Sequence, residues 1–269
     1  MKNDEYARDL KRIEYLVGVH GTPVNEAMQK ISALTGWNKD SRNYKDEYGY
    51  LLECMQDYIQ SIPAPAKNTV LIAGGTPEQR SRIAEMFVQL FASDWVVPED
   101  RVFAADGSRK YAGYAGQPCI WYKEATAADL LKIAHGREGF LKMFEPWPHR
   151  SINAGTAKRP VYVNNAMNIV TTPDDPHDLV DSVNIDGIKP NGSNNAGQVL
   201  RCLPIQFVIT DDGSARIWVN DQIIPHTKDG DYGDYVELYS LSKSGLENDD
   251  ILSAIVGNIA DTCFFHGTH

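Results

Sequence analysis

Apolar residues recur three and four apart at the start of the chain. Over residues 4–17, Tyr6, Leu10, Ile13 and Val17 share one helical face, with charges opposite. Gly18 and Gly21 are expected to break that helix. Thr22-Pro23 reads as an N-cap and first-turn proline opening a second helix to Leu34, with Gly36 as its stop. A third helix is expected from about Asp46 to Ile62, burying Leu51, Leu52, Met55, Tyr58, Ile59 and Ile62. Pro63-Ala-Pro65-Ala66 then forms a short rigid linker. Residues 1–62 thus read as a small helical bundle, separate from the rest of the chain.

The pattern changes after the linker. Thr69-Val-Leu-Ile-Ala73 is an apolar run ending in Gly74-Gly75, as a buried parallel strand feeding a turn would be. Ser81 to Phe91 reads as the next helix, with Ile83, Met86, Phe87 and Leu90 inward. Further apolar runs at Val102-Phe103, Cys119-Ile-Trp-Tyr122 and Ile169-Val170, with a helix over Ala125 to Ile133 between two of them, predict an α/β sheet. From Ile205 the period falls to two. Ile205–Ile209, Asp211-Asp-Gly-Ser214 and Ala215–Val219 make a hairpin, and a last helix is expected over Asn248 to Thr262. The expected organisation is a helical bundle over 1–62, an α/β domain over 67–210, and a hairpin-plus-helix extension over 211–269.

Composition narrows the function classes. The chain has 269 residues, 42% hydrophobic and 23% charged, an ordinary globular balance. No stretch approaches the roughly 20 apolar residues of a membrane span, and the start lacks a signal-peptide core, so a cytoplasmic protein without membrane contact is expected. The formal charge of −10 opposes non-specific DNA binding but leaves room for a local basic patch. Cys54, Cys119, Cys202 and Cys263 form no CxxC pair, so neither structural zinc nor a disulfide framework is expected. No metal site is predicted. His149, His177 and His226 lack ligand spacing, and Asp229–Asp234 lacks the terminal Glu of a calcium loop.

The chemistry-bearing stretch is Gly74-Gly-Thr-Pro-Glu-Gln-Arg-Ser81, lying between a strand and a helix. A phosphate loop needs glycines so that backbone N–H groups wrap the phosphates, a Lys for the outer phosphates and a hydroxyl for Mg²⁺. The first Gly and the final Ser are in place, but the Gly-Lys pair has become Gln79-Arg80. Arg80 keeps the charge of Lys on a planar fork, and Glu78 adds negative charge nearby. A plain strand–Gly-Gly–helix turn explains the same residues.

The later segments bear on that choice. Val102-Phe-Ala-Ala-Asp-Gly-Ser108 is followed by Tyr111-Ala-Gly-Tyr-Ala-Gly-Gln117, Cys119-Ile-Trp-Tyr-Lys-Glu124, Arg159-Pro-Val-Tyr-Val-Asn164, Asn168-Ile-Val-Thr-Thr-Pro173 and Gln198-Val-Leu-Arg201. This series resembles the helicase domain of rolling-circle replication initiators (Rep proteins) of Gram-positive plasmids and circular single-stranded DNA viruses. Those domains are similar to superfamily 3 helicases of the AAA+ P-loop class. The resemblance runs from about Asn68 to Ile209, and Tyr114-Ala-Gly-Gln117 before a Walker B-like strand is its most specific part.

The resemblance implies an α/β P-loop fold, ATP with Mg²⁺ as cofactor, a role in plasmid or mobile-element DNA replication, and single-stranded DNA, further copies or an active Rep protein as partners. Residue by residue, Gly74, Gly75, Arg80 and Ser81 match the phosphate loop. Lys123 and Glu124 match the Walker B acidic pair, and Thr171 and Thr172 the sensor strand. Lys158 and Arg159 fall at the DNA-contacting hairpin. Arg201 matches the arginine offered to a neighbour's γ-phosphate. Glu124 and Arg201 would be the catalytic groups.

The departures point to impaired ATPase chemistry. Lys123 stands where the family has an Asp that helps hold Mg²⁺. Thr172-Pro173 replaces the polar sensor. No His-x-His pair occurs, so DNA nicking is not expected. If the site is remodelled rather than decayed, Arg80 and Lys123 should converge on the phosphate pocket, with Glu78 or Glu124 paired to one of them. Two rivals stand beside an ATPase-impaired Rep-like protein: a pseudo-ATPase scaffold working by assembly, and an unrelated P-loop or α/β enzyme. Solvated or salt-bridged roles for Lys123, Arg201, Lys158 and Arg159 also fit the sequence.

Overall fold

A computed structural model describes residues 2–108, 110–148, 151–154, 161–185, 196–220 and 235–264. Three helices come first: α1 (Lys2–His20), α2 (Val24–Thr35) and α3 (Arg42–Ser61). Strand β1 (Asn68–Gly74) leads into α4 (Pro77–Phe91), and α5 (Pro98–Arg101) into β2 (Val102–Ala105) and β3 (Cys119–Tyr122). Next come α6 (Ala127–Ala134), α7 (Arg137–Phe144), the short strands β4 (Ile152–Asn153) and β5 (Tyr162–Val163), β6 (Met167–Thr172), α8 (Pro176–Ile185) and α9 (Ala196–Cys202). The chain closes with β7 (Ile205–Ile209), β8 (Ala215–Asn220), β9 (Tyr235–Leu241), α10 (Lys243–Glu247) and α11 (Asp249–Cys263).

The protein is a mixed α/β fold on a seven-stranded sheet of order β2-β3-β6-β1-β7-β8-β9. The first five strands of that order run parallel, and β8 and β9 are antiparallel additions. Both faces of β1 are buried, which is why it reads as an unbroken apolar run. Val70 and Ile72 pack on one side with Phe87 of α4 and Leu252 and Val256 of α11. Leu71 packs on the other, in a core that also holds Met28, Leu51, Met55 and Phe140.

That second core corrects the expected separation of the N-terminal bundle, because helices α1–α3 share it with the sheet. Asp100 adds a polar tie. The N-cap of α2 is Pro23, which offers no capping side chain. The Asp100 carboxylate accepts instead from the backbone N–H groups of Asn25 (3.1 Å) and Glu26 (2.9 Å) and from the Asn25 amide (2.8 Å). A carboxylate there complements the positive end of the helix. Asp100→Ala should lower the unfolding free energy by about 2 kcal/mol in urea titrations; an unchanged midpoint would contradict this tie.

Other expectations changed in detail. Gly18 does not break α1; it lies inside the helix, where a Cβ would sit 3.6 Å from the Cys54 Cβ of α3, and the chain turns at Gly21. The runs Thr69–Ala73 and Cys119–Tyr122, expected in one α/β sheet, lie there as the parallel strands β1 and β3, with β6 between them. The hairpin β7–β8 forms as expected, yet it extends the main sheet rather than standing apart, and β9 continues it.

Candidate functional site

The C-terminal end of β1 is the point where the chain's strands diverge to either side, with β6 on one flank and β7 on the other. Such switch points are where open α/β sheets place ligands. Here the turn is very short. Gly74 and Gly75 both take positive φ, 73° and 58°. A Cβ on Gly74 would lie 2.0 Å from the Ile209 carbonyl oxygen, and one on Gly75 2.6 Å from Ile209 Cγ2. Close packing on β7 therefore explains both glycines.

Helix α4 starts at Pro77, directly after Thr76, rather than at Ser81 as expected. Thr76 is the N-cap, Pro77 occupies the first turn and Gln79 completes a capping box. Five residues of the supposed phosphate loop, Pro77–Ser81, are thus helical. Three N–H groups of this stretch are satisfied internally: Thr76 N donates to Gln79 Oε1 (2.9 Å), Gln79 N to Thr76 Oγ1 (3.3 Å) and Arg80 N to the Thr76 carbonyl (3.1 Å).

Arg80 fills the space beside this turn. Its side chain is only 3% exposed. Nη1 donates to the carbonyl oxygens of Gly74 (2.6 Å) and Gly75 (3.0 Å). Nε donates to Glu124 Oε1 at 2.9 Å, and Nη2 to Glu124 Oε2, a bidentate pair. The turn presents carbonyls to a cation, the reverse of a phosphate cradle.

Glu124 is held for this role from β6. Its φ is 51°, and its N–H donates to Thr171 Oγ1 (2.9 Å), which also accepts from Trp121 Nε1 (3.1 Å). The Ala125 N–H donates to the Thr171 carbonyl at 2.8 Å. The Arg80 hydrogen bonds keep the Glu124 carboxyl below the usual carboxylate range.

Among the described residues, the other predicted ones do not join this pair. Lys123 is exposed, its ammonium 5.1 Å from the Trp121 ring centroid, so it does not converge with Arg80 on a pocket; the expected two-cation pocket does not form, and Lys in place of the Asp reads as decay. The adjacent cation–π contact gives it a solvated strand-end role. Glu78 is exposed at the α4 N-terminus, its carboxyl lowered by its own backbone N–H and by Thr76. Thr172 is buried and its hydroxyl accepts from Asp174 N (3.1 Å). Arg201 on α9 binds Glu145, Nη2 to Oε2 at 2.8 Å, the salt-bridge role rather than an extended finger. Lys158 and Arg159, like His149, His226 and Asp229–Asp234, lie outside the described residues.

A cleft of about 310 Å³ opens beside Gly74, lined by Asp174, Asp175, Thr210 and Asp211 among others. Its carboxylates disfavour polyphosphate. Among the described residues no group of His, Cys, Asp and Glu is arranged to hold a metal, and no helix is long and apolar enough to cross a membrane. With Arg80 on the Gly74 and Gly75 carbonyls and the first turn of α4 capped by Thr76 and Gln79, the turn as it stands does not fit Mg²⁺-ATP. The carboxylate that would orient a water, Glu124, has both oxygens on a guanidinium. Thr76 and Gln79 are functional as cap residues, and the Thr-x-x-Gln capping-box signature is the signal for them in the sequence. The chain matches no protein-family model and no curated protein sequence.

Proposed function

We propose that this chain is a pseudo-ATPase: a P-loop-type α/β domain, similar to Rep helicase domains, whose phosphate site is filled by its own arginine and which works by assembly rather than turnover. The observation behind this is the Arg80 fork, bonded at once to Gly74, Gly75 and both oxygens of Glu124. A nucleotide would have to displace that fork and unwind the first turn of α4. The strand order supports the P-loop class. The strand matched to the sensor lies between those matched to the phosphate loop and Walker B, so that Gly74, Thr172 and Glu124 end on the same side.

ATP hydrolysis with Mg²⁺ should not rise above the blank. Losing one major electrostatic element of phosphoryl transfer costs roughly 10³-fold or more, and here both the Lys and the metal-holding Asp are replaced. Robust turnover abolished by Arg80→Ala would overturn this proposal. A part in plasmid or mobile-element replication, with an active Rep protein, further copies or single-stranded DNA as partner, is the second reading. It rests on the motif order from Gly74 to Arg201, and binding of single-stranded DNA by the purified chain would favour it.

A further inference from the structure

Lys67 lies at the opposite end of β1 from the Gly74 turn, and only 1% of it is exposed. It clamps the stretch after α7 at two points. Its backbone N–H donates to the Pro146 carbonyl (2.8 Å) and its Nζ to the Met143 carbonyl (3.0 Å). The Asn168 amide of β6 also reaches Met143 O, at 3.5 Å. Around this joint stand Cys202 of α9, whose thiol burial pushes up to about 12, and Glu145, which is already paired to Arg201. Arg137, at the far end of α7, completes the charged groups facing the cluster.

Met143 O is the Nζ's only hydrogen-bond partner among the described residues. A neutral amine tolerates that, whereas burial penalises an ammonium at the same place. The clamped stretch also borders a broad depression on the described surface. Two adjoining cavities, about 260 and 890 Å³, share Glu138, Lys142, Ile152 and Asn153. Met143 lines one; Glu145 and the exposed Trp147 line the other.

We propose that Lys67 is a proton-operated latch. As a free amine it holds the end of α7 against the sheet. On taking up a proton from solvent it lifts that end so that the ammonium reaches water, widening the groove that runs to Trp147. Burial lowers the Lys67 amine from its ordinary 10.5 to about 7, so the transition falls near neutrality. Linkage sets the sign. A lowered folded-state pKa means the unfolded chain binds more protons between about 7 and 10.5. Stability therefore rises with pH through that window and is lost as pH falls to about 7.

The test is urea unfolding of wild type and Lys67→Met at pH 7 and pH 9, with the ¹⁹F resonance of Trp147 in fluorotryptophan-labelled protein followed across pH 5.5–8.5. Wild type should gain on the order of tenfold in its folded-to-unfolded ratio per pH unit between pH 7 and pH 9, beyond any gain in Lys67→Met. Its Trp147 signal should shift with a midpoint near 7, and the shift should vanish in the variant. Equal pH slopes in the two proteins would overturn the latch. Should Lys67→Met fail to fold, ¹³C-lysine NMR of wild type decides: one Cε resonance titrating near 7 supports the proposal, and all lysines titrating near 10.5 refute it.

Discussion

Arg80→Ala is expected to destabilise the protein by about 3 kcal/mol. The substitution strips partners from the Glu124 carboxylate and from the Gly74 and Gly75 carbonyls at a largely buried site. Breaking a buried pair from one side costs about 3–5 kcal/mol. The lower end applies because the Glu124 side chain keeps 29% of its exposure. Arg80→Lys should recover less than half, since a point charge cannot bridge two carbonyls and a carboxylate together. The titrations should use urea, because guanidinium itself suits the vacated space, and millimolar methylguanidinium should partly restore Arg80→Ala. A loss below about 1 kcal/mol would mean that Arg80 does not organise the turn.

Gly74→Ala should cost about 3–4 kcal/mol in the absence of any nucleotide. A side chain at φ 73° adds left-handed strain of about 1–2 kcal/mol. Its Cβ would also stand 2.0 Å from the Ile209 carbonyl oxygen, forcing β1 and β7 apart at the pair Gly74–Ile209, an overpacking term of about 1–3 kcal/mol. A phosphate loop would behave differently, with its glycines affecting ligand affinity more than ligand-free stability. Circular dichroism melts of the unliganded variant make the comparison. A wild-type melting temperature would show that close packing on β7 is not what requires a glycine here.

Much of this architecture is legible from residue periodicity. β1, β3, β6, the β7–β8 hairpin, α11 and all but the first turn of α4 fall where apolar spacing puts them, because each buries a definite face. Strand order is not legible. Nothing local in Cys119–Tyr122 shows that Met167–Thr172 will insert beside it, since that choice belongs to the crossovers. The site itself is half legible. Glu124 is a candidate partner for Arg80 in the sequence, and the two meet, although they are 44 residues apart. Lys123 is expected beside them, but the left-handed bend at Glu124 and the ring of Trp121 leave it in solvent. The early start of α4 is written in Thr76-Pro77-Glu78-Gln79. Aligning that octet as a phosphate loop hides a helix cap that the same residues spell more directly.

Arg80 is proposed to occupy the place a phosphate would take. Isothermal titration of ATP into the wild-type chain, with and without Mg²⁺, probes that occupancy. The filled site predicts no heat of binding at millimolar nucleotide and no rise in melting temperature, because a ligand stabilises only in proportion to its affinity for the native state. Saturable ATP binding, with a matching rise in melting temperature, would overturn the filled site and reinstate a working nucleotide site at the end of β1.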